Sequence, residues 1–164
     1  MEITPKVDLP LPEVRTDLVL VSACLAGCAC RYDGEANETS EVARLVAEGR
    51  AVQVCPEEDG GLPTPRPPAE IVGGDGHDVI AGRARVMTKD GVDVTHVYLA
   101  GAQRALEAAQ AAGVTRAILK ARSPSCGKGV IYDGTFSRSR IEGDGVTTAL
   151  LTQNGIEVVT EQDI

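Results

Sequence analysis

The stretch Leu18-Val-Leu-Val-Ser-Ala-Cys24-Leu-Ala-Gly-Cys28-Ala-Cys30-Arg-Tyr-Asp-Gly34 contains the pattern around which the chain is organised. A short apolar run rich in Val and Leu leads to the first cysteine, and a glycine-containing turn and a polar RYDG tail follow. A continuous apolar run of this kind is typical of a strand that is buried on both faces, as in a parallel sheet. The stretch therefore predicts a buried strand that delivers a thiol to a loop.

Two other apolar runs bring a cysteine to the end of a strand. The run Ala51-Val-Gln-Val-Cys55-Pro-Glu ends on a thiol, and the run Ala117-Ile-Leu-Lys-Ala-Arg-Ser-Pro-Ser-Cys126-Gly carries one just beyond its end. In α/β folds, ligands bind beyond the carboxyl ends of the parallel strands. We therefore expect Cys24, Cys55 and Cys126 to converge on one site.

The alternation of strand and helix patterns predicts the fold class. It predicts an α/β fold, a Rossmann-like three-layer α/β/α sandwich with a mostly parallel sheet. Strands are predicted at 18–23, 51–55, 117–121 and 156–160, with a further short strand or hairpin arm at 79–87. Helices are predicted from Thr39 or Ser40 to about Glu48, from Asp93 or Thr95 to about Ala112, and from Gly145 to Gln153 with Asp144 as the cap. Irregular loops are predicted at 56–76 and 129–136.

The composition is that of a single globular domain. The chain has 164 residues, of which 43% are hydrophobic and 24% charged, and a domain of this length can fold without disulfides. We expect an irregular lead-in over residues 1–17 and one domain over residues 18–164. The formal net charge of -8 and the aromatic content of 2% disfavour nucleic acid as a partner, because its binding relies on basic side chains and, for single strands, on aromatic ones.

The chain shows no sign of membrane insertion or export, and we expect a cytoplasmic protein. No apolar stretch reaches the roughly 20 residues of a membrane-spanning helix. Five cysteines cannot all pair, and a reducing compartment keeps thiols free. Thiolates select zinc, copper(I) or iron–sulfur clusters, and without a CxxC or CxxH pair the spacing does not choose among these. The two histidines, His77 and His96, are expected on the solvated surface.

Four motifs, taken together, resemble a bacterial single-domain family formerly of unknown function, the thiouracil desulfidases. The motifs are VSACLAGCACRYDG at 21–34, VCPEEDGGLPTPRPPAEI at 54–71, KARSPSCGKGVIYDGTF at 120–136 and GDGVTTALL at 143–151. The resemblance covers about residues 18 to 160. It implies a [4Fe-4S] cluster held by only three cysteines, Cys24, Cys55 and Cys126, with one iron left open. It implies that sulfur is removed from thiouracil or a related thiolated small molecule, without a redox change, to give the oxo product and hydrosulfide.

The resemblance also implies which residues carry out acid–base chemistry. In the family, an acidic residue and a serine near the cluster are implicated, which corresponds to Glu57 and to Ser123 or Ser125. The alternative reading is that Glu57 caps its loop and that both serines satisfy backbone groups.

Other residues of the motifs are expected around the site. Cys30, Arg66, Glu70 and Gly127 are candidates for the surroundings of the cluster, and Gly127 would let the backbone pass close to it. Arg66 and Glu70 would line the pocket or, alternatively, pair with each other. Cys28 has no assigned role.

Two other functions remain open at this point. A non-enzymatic iron–sulfur protein that senses redox state or carries sulfide would use the same thiols, and so would a zinc-binding structural domain. For the enzyme, the expected partner is a small thiolated base or related thioamide, and the sequence does not indicate an oligomeric state.

Overall fold

A four-stranded parallel sheet lies at the centre of the protein, which a computed structural model describes over residues 17–164. Nearly all of the predicted lead-in at 1–17 lies outside the described residues, and the domain boundary at residue 18 stays a prediction. In chain order the elements are β1 (Val19–Ser22), a 3-10 helix (Ala23–Ala26), α1 (Ser40–Ala47), β2 (Ala51–Val54), α2 (Pro56–Asp59), β3 (Ala69–Val72), α3 (Gly76–Ile80), β4 (Arg85–Thr88), α4 (Thr95–Ala112), β5 (Arg116–Leu119), β6 (Val130–Tyr132), β7 (Arg140–Glu142), α5 (Val146–Gln153) and β8 (Glu157–Thr160).

The strand order in the central sheet is β2-β1-β5-β8, and each neighbouring pair is parallel. In the middle of the sheet, Ser22 of β1 is in register with Val54 of β2, and Val21 of β1 with Ile118 of β5. The carboxyl ends of these three strands therefore lie side by side. The four strands correspond to the four main strands of the prediction.

Helices cover both faces of the sheet. On one face, Leu20 of β1 packs in a cluster with Ala105 of α4 and Leu151 of α5. On the other face, Val21 packs with Val42 of α1. Successive residues of a strand point to opposite faces, so both layers draw apolar side chains from the same short strand. The predicted three-layer sandwich with a mostly parallel sheet is confirmed.

The boundaries of α1 and α4 agree with the prediction. Thr39 caps α1, and its side chain accepts the N–H of Val42 at 3.3 Å. The long helix α4 ends at Gly113, which has a φ of 70° in the left-handed region that favours glycine. Within residues 17–164, neither α4 nor any other helix is long and apolar enough to cross a membrane.

The predicted cap of α5 is wrong. The residue before the helix is Gly145, and no side chain caps its first turn. The carboxylate of Asp144 instead accepts the N–H of Gly129 at 2.9 Å and contacts Nε2 of His77 at 2.9 Å. Asp144 lies where a helix cap would be expected in the sequence, but its carboxylate oxygens are bound by Gly129 and His77 instead.

The segment predicted as an irregular loop at 56–76 contains regular structure, so this prediction is wrong. Helix α2 starts at Pro56, and β3 pairs with β4 in an antiparallel hairpin. Proline is tolerated at the first position of a helix, because its missing N–H would have no intrahelical partner there. The remaining prolines of the segment all precede β3.

Two more predicted segments differ from the structure in part. The segment at 79–87 was predicted as a strand or hairpin arm, and it contains the end of α3 as well as most of β4. The loop predicted at 129–136 contains β6, which pairs with the unpredicted strand β7. Both hairpins are short, and strands of three or four residues give a weak periodic signal.

Glycines allow α2 to pack directly on α4. A Cβ atom on Gly101 of α4 would lie 1.9 Å from the carbonyl oxygen of Pro56, and one on Gly60 would lie 2.3 Å from the carbonyl oxygen of Val97. Only glycine fits at distances this short. The helix that follows Cys55 is thereby held against the longest helix of the protein.

We expect Gly101→Ala to lower the free energy of unfolding by about 2 kcal/mol, because the added methyl group overpacks a contact with backbone that cannot move away. Urea unfolding of the metal-free protein measures the change. Gln103→Ala, on the exposed side of α4, is the control and should change stability by less than about 0.5 kcal/mol. Equal stability of Gly101→Ala and the control would contradict the close packing of α2 on α4.

Candidate functional site

A cavity of about 480 Å³ opens at the carboxyl ends of β2, β1 and β5. The thiols of Cys24, Cys30, Cys55 and Cys126 line it, so the three cysteines expected to converge lie on one cavity. The other lining residues are Ser22, Ala23, Arg31, Tyr32, Asn37, Val54, Pro56, Glu57, Arg66, Pro68, Ala69, Glu70, Lys89, Tyr98, Lys120, Ala121, Arg122, Ser123, Pro124, Tyr132, Phe136 and Arg138.

The first two cysteines follow directly from their strands. Cys24 is the second residue of the 3-10 helix after β1, and this helix ends at Gly27, whose φ is 98°. Cys55 comes immediately after β2 and precedes α2. Its N–H is donated to the carboxylate of Asp59 at 3.2 Å. Both thiols are thus placed by short, well-connected turns at the sheet edge.

A tight turn brings Cys126 back to the same edge. Oγ of Ser123 accepts the N–H groups of Ser125 and Cys126, each at 3.1 Å. The carbonyl of Cys126 accepts a hydrogen bond from Oγ1 of Thr148 in α5 at 2.8 Å. Gly127 does not line the cavity, and a Cβ atom there would lie 2.8 Å from the carbonyl oxygen of Ser123. Its small size serves the turn rather than the cavity wall.

Burial makes two of the thiols weak acids. It raises the pKa of Cys24 to about 11, and the neighbouring Cys55 adds to the rise. Burial likewise raises the pKa of Cys126 to about 12, although a hydrogen bond from the hydroxyl of Ser22 opposes it. Thiols of this kind become thiolates when a metal replaces their proton.

The remaining cysteines, Cys28 and Cys30, differ sharply in environment. Cys28 is exposed, whereas Cys30 is buried and faces the cavity. A hydrogen bond from the Cys30 thiol lowers the pKa of Cys55, and the same contact raises that of Cys30. Sγ of Cys55 also lies 3.8 Å from the carbonyl oxygen of Cys30. Cys30 is therefore a neighbour of Cys55, and Cys28 lies outside the cavity.

The sulfur donors of the cavity fit an iron–sulfur cluster. Sulfur donors suit iron–sulfur clusters and zinc. Four thiolates around one zinc ion, with Zn–S bonds of about 2.3 Å, would lie about 3.8 Å from one another. Among residues 17–164, no three of the thiol sulfur atoms lie within 4.8 Å of one another. Four cysteines on one cavity supply enough sulfur donors for an iron–sulfur cluster, in which each thiolate binds a different iron.

The histidines lie away from the thiols. His77 contacts Asp144 at 2.9 Å and Gln153 at 3.1 Å, and neither histidine lines the cavity. Asp75, His77 and Asp144 come close together, but their oxygens and ring nitrogens are engaged in hydrogen bonds at the start of α3, to the segment before α5 and to Gln153 of α5. His96 is exposed, as expected.

A carboxylate and a guanidinium form an ion pair in the wall of the cavity. Nε and Nη2 of Arg66 both lie 2.9 Å from Oε2 of Glu57. Glu70 is not a partner of Arg66, because its Oε1 accepts the N–H groups of Gly134 at 3.0 Å and Phe136 at 3.2 Å. The alternative in which Arg66 pairs with Glu70 is therefore wrong.

The two candidate serines have different surroundings. Ser123 lines the cavity, and Ser125 does not. Ser125 is completely buried, and its Oγ lies 2.8 Å from Oγ1 of Thr147 in α5. Only Ser123 is thus placed where its hydroxyl can meet a molecule in the cavity.

Sequence reasoning missed several residues of the cavity wall, among them Ser22 and Tyr98. Ser22, the last residue of β1, accepts the N–H of Lys120 at 2.9 Å, which leaves its own hydrogen to point to Cys126. Its position two residues before Cys24 was the signal that could have found it. Tyr98 of α4 is buried beside Glu57. Burial is the main cause that raises the pKa of Tyr98, and the nearby carboxylate of Glu57 raises it further. Nothing near Tyr98 in the sequence indicates this position.

Comparisons with known proteins cover nearly the same part of the chain. The family model of the 2-thiouracil desulfurases matches residues 19–163. The uncharacterized protein YbbK of Bacillus subtilis (strain 168) is 48% identical over 147 residues, which are 90% of this chain and 97% of that protein. A solved structure of the [4Fe-4S]-dependent thiouracil desulfidase TudS is 45% identical, with a TM-score of 0.80, and the match covers 90% of this chain and 93% of that chain.

We expect alkylation of the metal-free protein to separate the cysteines by exposure. Iodoacetamide should modify Cys28 fastest, since its thiol is exposed, and Cys126 much more slowly, since that residue is only 4% exposed and burial raises its pKa to about 12. Mass spectrometry after brief labelling near neutral pH measures the order, and the urea-unfolded protein, in which all five cysteines should react, is the control. Equal rates at Cys28 and Cys126 in the folded protein would contradict the buried position of Cys126.

Proposed function

Because the chain belongs to the 2-thiouracil desulfurase family, we propose that it is a [4Fe-4S]-dependent desulfidase that removes the sulfur of thiouracil or of a related thiolated base. The observation that carries this proposal is the cavity at the strand ends, where four thiols and a carboxylate meet. In the net reaction, the oxygen of one water replaces the sulfur of a thiocarbonyl. The products are the oxo base and hydrosulfide with a proton, and no atom changes oxidation state.

The proposed ligands of the cluster are Cys24, Cys55 and Cys126. Their support is that each follows one of three neighbouring parallel strands and that all three line the cavity. When bound through three thiolates, a [4Fe-4S] cluster supplies a Lewis-acidic iron with an open position, which polarises the carbon–sulfur bond of a thiocarbonyl. Cys30 is kept as a neighbour of Cys55 rather than as a ligand, because the other three cysteines of the cavity each follow a different strand of the sheet.

Glu57 is the proposed general base. Its carboxylate lines the cavity two residues after the ligand Cys55, and an acidic group near the reacting carbon can take a proton from the attacking water. Nε of Arg66 donates to Oε2, and Nη2 forms an ion pair with the same oxygen. We therefore assign Oε1 to the proton transfer.

Ser123 is the proposed hydrogen-bond donor to the substrate. Its Oγ accepts two backbone N–H groups, so the hydroxyl hydrogen is the part that can be donated into the cavity. Ser125, which pairs with Thr147, is assigned to holding the turn at Cys126 on α5. This assignment gives the two serines of the SPSC motif separate duties.

A small molecule is the proposed partner, in the cytoplasm. A cavity of about 480 Å³ is in the usual size range for small-molecule sites, and the formal net charge of -8 disfavours nucleic acid. The five free cysteines fit a reducing compartment.

We expect the anaerobically reconstituted protein to release hydrosulfide from 2-thiouracil and to form uracil in equal amount. Glu57→Ala should keep the cluster and lower kcat by at least about 100-fold, because general base catalysis is typically worth that much or more. Product is measured by chromatography, and hydrosulfide by methylene blue formation.

Glu107→Ala is the control for this experiment. Glu107 is an exposed glutamate of α4 that does not line the cavity. It should keep most of the turnover. A fully loaded protein that releases no hydrosulfide from 2-thiouracil or other thiolated pyrimidines would refute the proposed activity, and unchanged turnover in Glu57→Ala would remove Glu57 from the mechanism.

We expect single changes of Cys24, Cys55 or Cys126 to serine to abolish stable binding of the cluster, because each removes one of only three anchoring thiolates. Iron and acid-labile sulfide per chain, together with the visible absorption, measure binding after anaerobic reconstitution. Cys28→Ser is the control and should retain a full complement of iron. Retention of the cluster in Cys24→Ser with its loss in Cys30→Ser would show that a different set of thiols holds it.

A further inference from the structure

We propose that Arg66 is the positioning residue of this site and holds the carboxylate of Glu57 in the orientation that proton transfer requires. The inference rests on the proposed function, in which Glu57 takes a proton from water. It adds a specific duty for a residue of the proline-rich segment before β3.

Arg66 is a buried arginine whose guanidinium makes four hydrogen bonds. Its side chain is 4% exposed, and a guanidinium carries five N–H groups. Nε donates to Oε2 of Glu57 at 2.9 Å, Nη2 forms an ion pair with the same oxygen at 2.9 Å, and Nη2 donates to the carbonyl of Cys30 at 2.9 Å. Nη1 donates to the carbonyl of Pro63 at 3.3 Å and to Oγ1 of Thr64 at 2.8 Å. A group held by four hydrogen bonds and an ion pair cannot turn without breaking several of these contacts.

The partners of Arg66 belong to three separate segments of the cavity wall. Cys30 lies in the loop after β1, Glu57 lies in α2, and the remaining partners lie in the proline-rich segment itself. Pro65 and Pro67 stand on either side of Arg66 and restrict the φ angles there. The guanidinium thus joins the segment that carries the carboxylate to two others, and its own backbone is stiff.

The contacts of the pair concentrate on one carboxylate oxygen. Nε of the planar fork donates to Oε2 of Glu57 and Nη2 pairs with the same oxygen, so we assign the other oxygen, Oε1, to the proton transfer. A lysine has one nitrogen and cannot reproduce this fork. A misplacement of about 1 Å at a reacting group can lower a rate by about 100-fold. We therefore expect the loss of the fork to lower kcat.

The charge of Arg66 also suits its position. The side chain of Glu57 is 17% exposed and stands near thiols that become thiolates when they bind metal. A guanidinium remains protonated in proteins, so it supplies a permanent positive charge next to this buried carboxylate. A neutral hydrogen-bond donor at the same place would not.

The test is Arg66→Lys, which keeps the positive charge and removes the fork. We expect kcat for hydrosulfide release from 2-thiouracil to fall by about 100-fold, with KM changed by less than about twofold. Iron and acid-labile sulfide per chain should equal those of the unchanged protein. A rise in KM with unchanged kcat, or a loss of activity that only follows a loss of cluster, would overturn the proposal.

A double-mutant cycle separates this inference from the proposed function. If Arg66 acts through Glu57, Arg66→Lys should cause no further loss of kcat in the Glu57→Ala protein. Multiplying losses would overturn the role of Arg66 while leaving Glu57 as the base. An unchanged kcat in Glu57→Ala alone would instead refute the proposed base, and the inference with it.

A second variant and a control complete the experiment. Arg66→Ala leaves the carboxylate of Glu57 without its partner, and added guanidinium ion should restore part of its kcat by filling the vacated space. No rescue at any concentration below the onset of unfolding, in Arg66→Ala protein that is folded and carries a full cluster, would count against a positioning role; if that variant fails to fold, Arg66→Lys carries the test. Arg83→Ala removes an exposed arginine that pairs with Asp78 at 3.1 Å, and it should leave kcat unchanged.

Discussion

The structure depends on the parallel pairing of β1 with β2 on one side and with β5 on the other. Backbone hydrogen bonds in this register bring three strand ends to one edge of the sheet, although the cysteines that follow them are far apart in the chain. Helices on both faces bury the same short strands and hold the register. A slip of one residue would move each apolar side chain to the opposite face, so the position of the site is set by the packing of the core.

Burial at this edge determines the electrostatics of the site. The pKa values of Cys24 and Cys126 are raised by desolvation, and a cluster held by their thiolates would carry a net negative charge. Arg66 is the buried cation that faces this charge, and it pairs with the only carboxylate assigned a proton transfer. The arrangement suits the chemistry of the 2-thiouracil desulfurase family, to which the chain belongs. Hydrolysis of a thiocarbonyl needs a soft metal centre that water can reach and a base in a fixed position.

Several features could be predicted from the sequence because their signals are local. The apolar runs before Cys24 and Cys55, the cap at Thr39 and the glycine after α4 all act within one or two turns of the chain. The segment at 56–76 was misjudged for a related reason. Proline is disfavoured in the interior of a helix or of a central strand, but it is accepted at the start of α2. The hairpin of β3 and β4 depends on pairing between residues that are too far apart in the chain to appear in one short stretch of sequence.

The sequence by itself determined the fold class, the edge of the sheet at which the thiols gather and, through its four motifs, the family. The tertiary structure decided which neighbouring residues face that edge: Cys30 rather than Cys28, Ser123 rather than Ser125, and Arg66 paired with Glu57 rather than Glu70. In each case the two candidates have similar chemistry and lie a few residues apart or in one motif. Their separation depends on side chains supplied by distant segments, such as Thr147 of α5 or the backbone of Gly134, and such contacts exist only after the chain has folded.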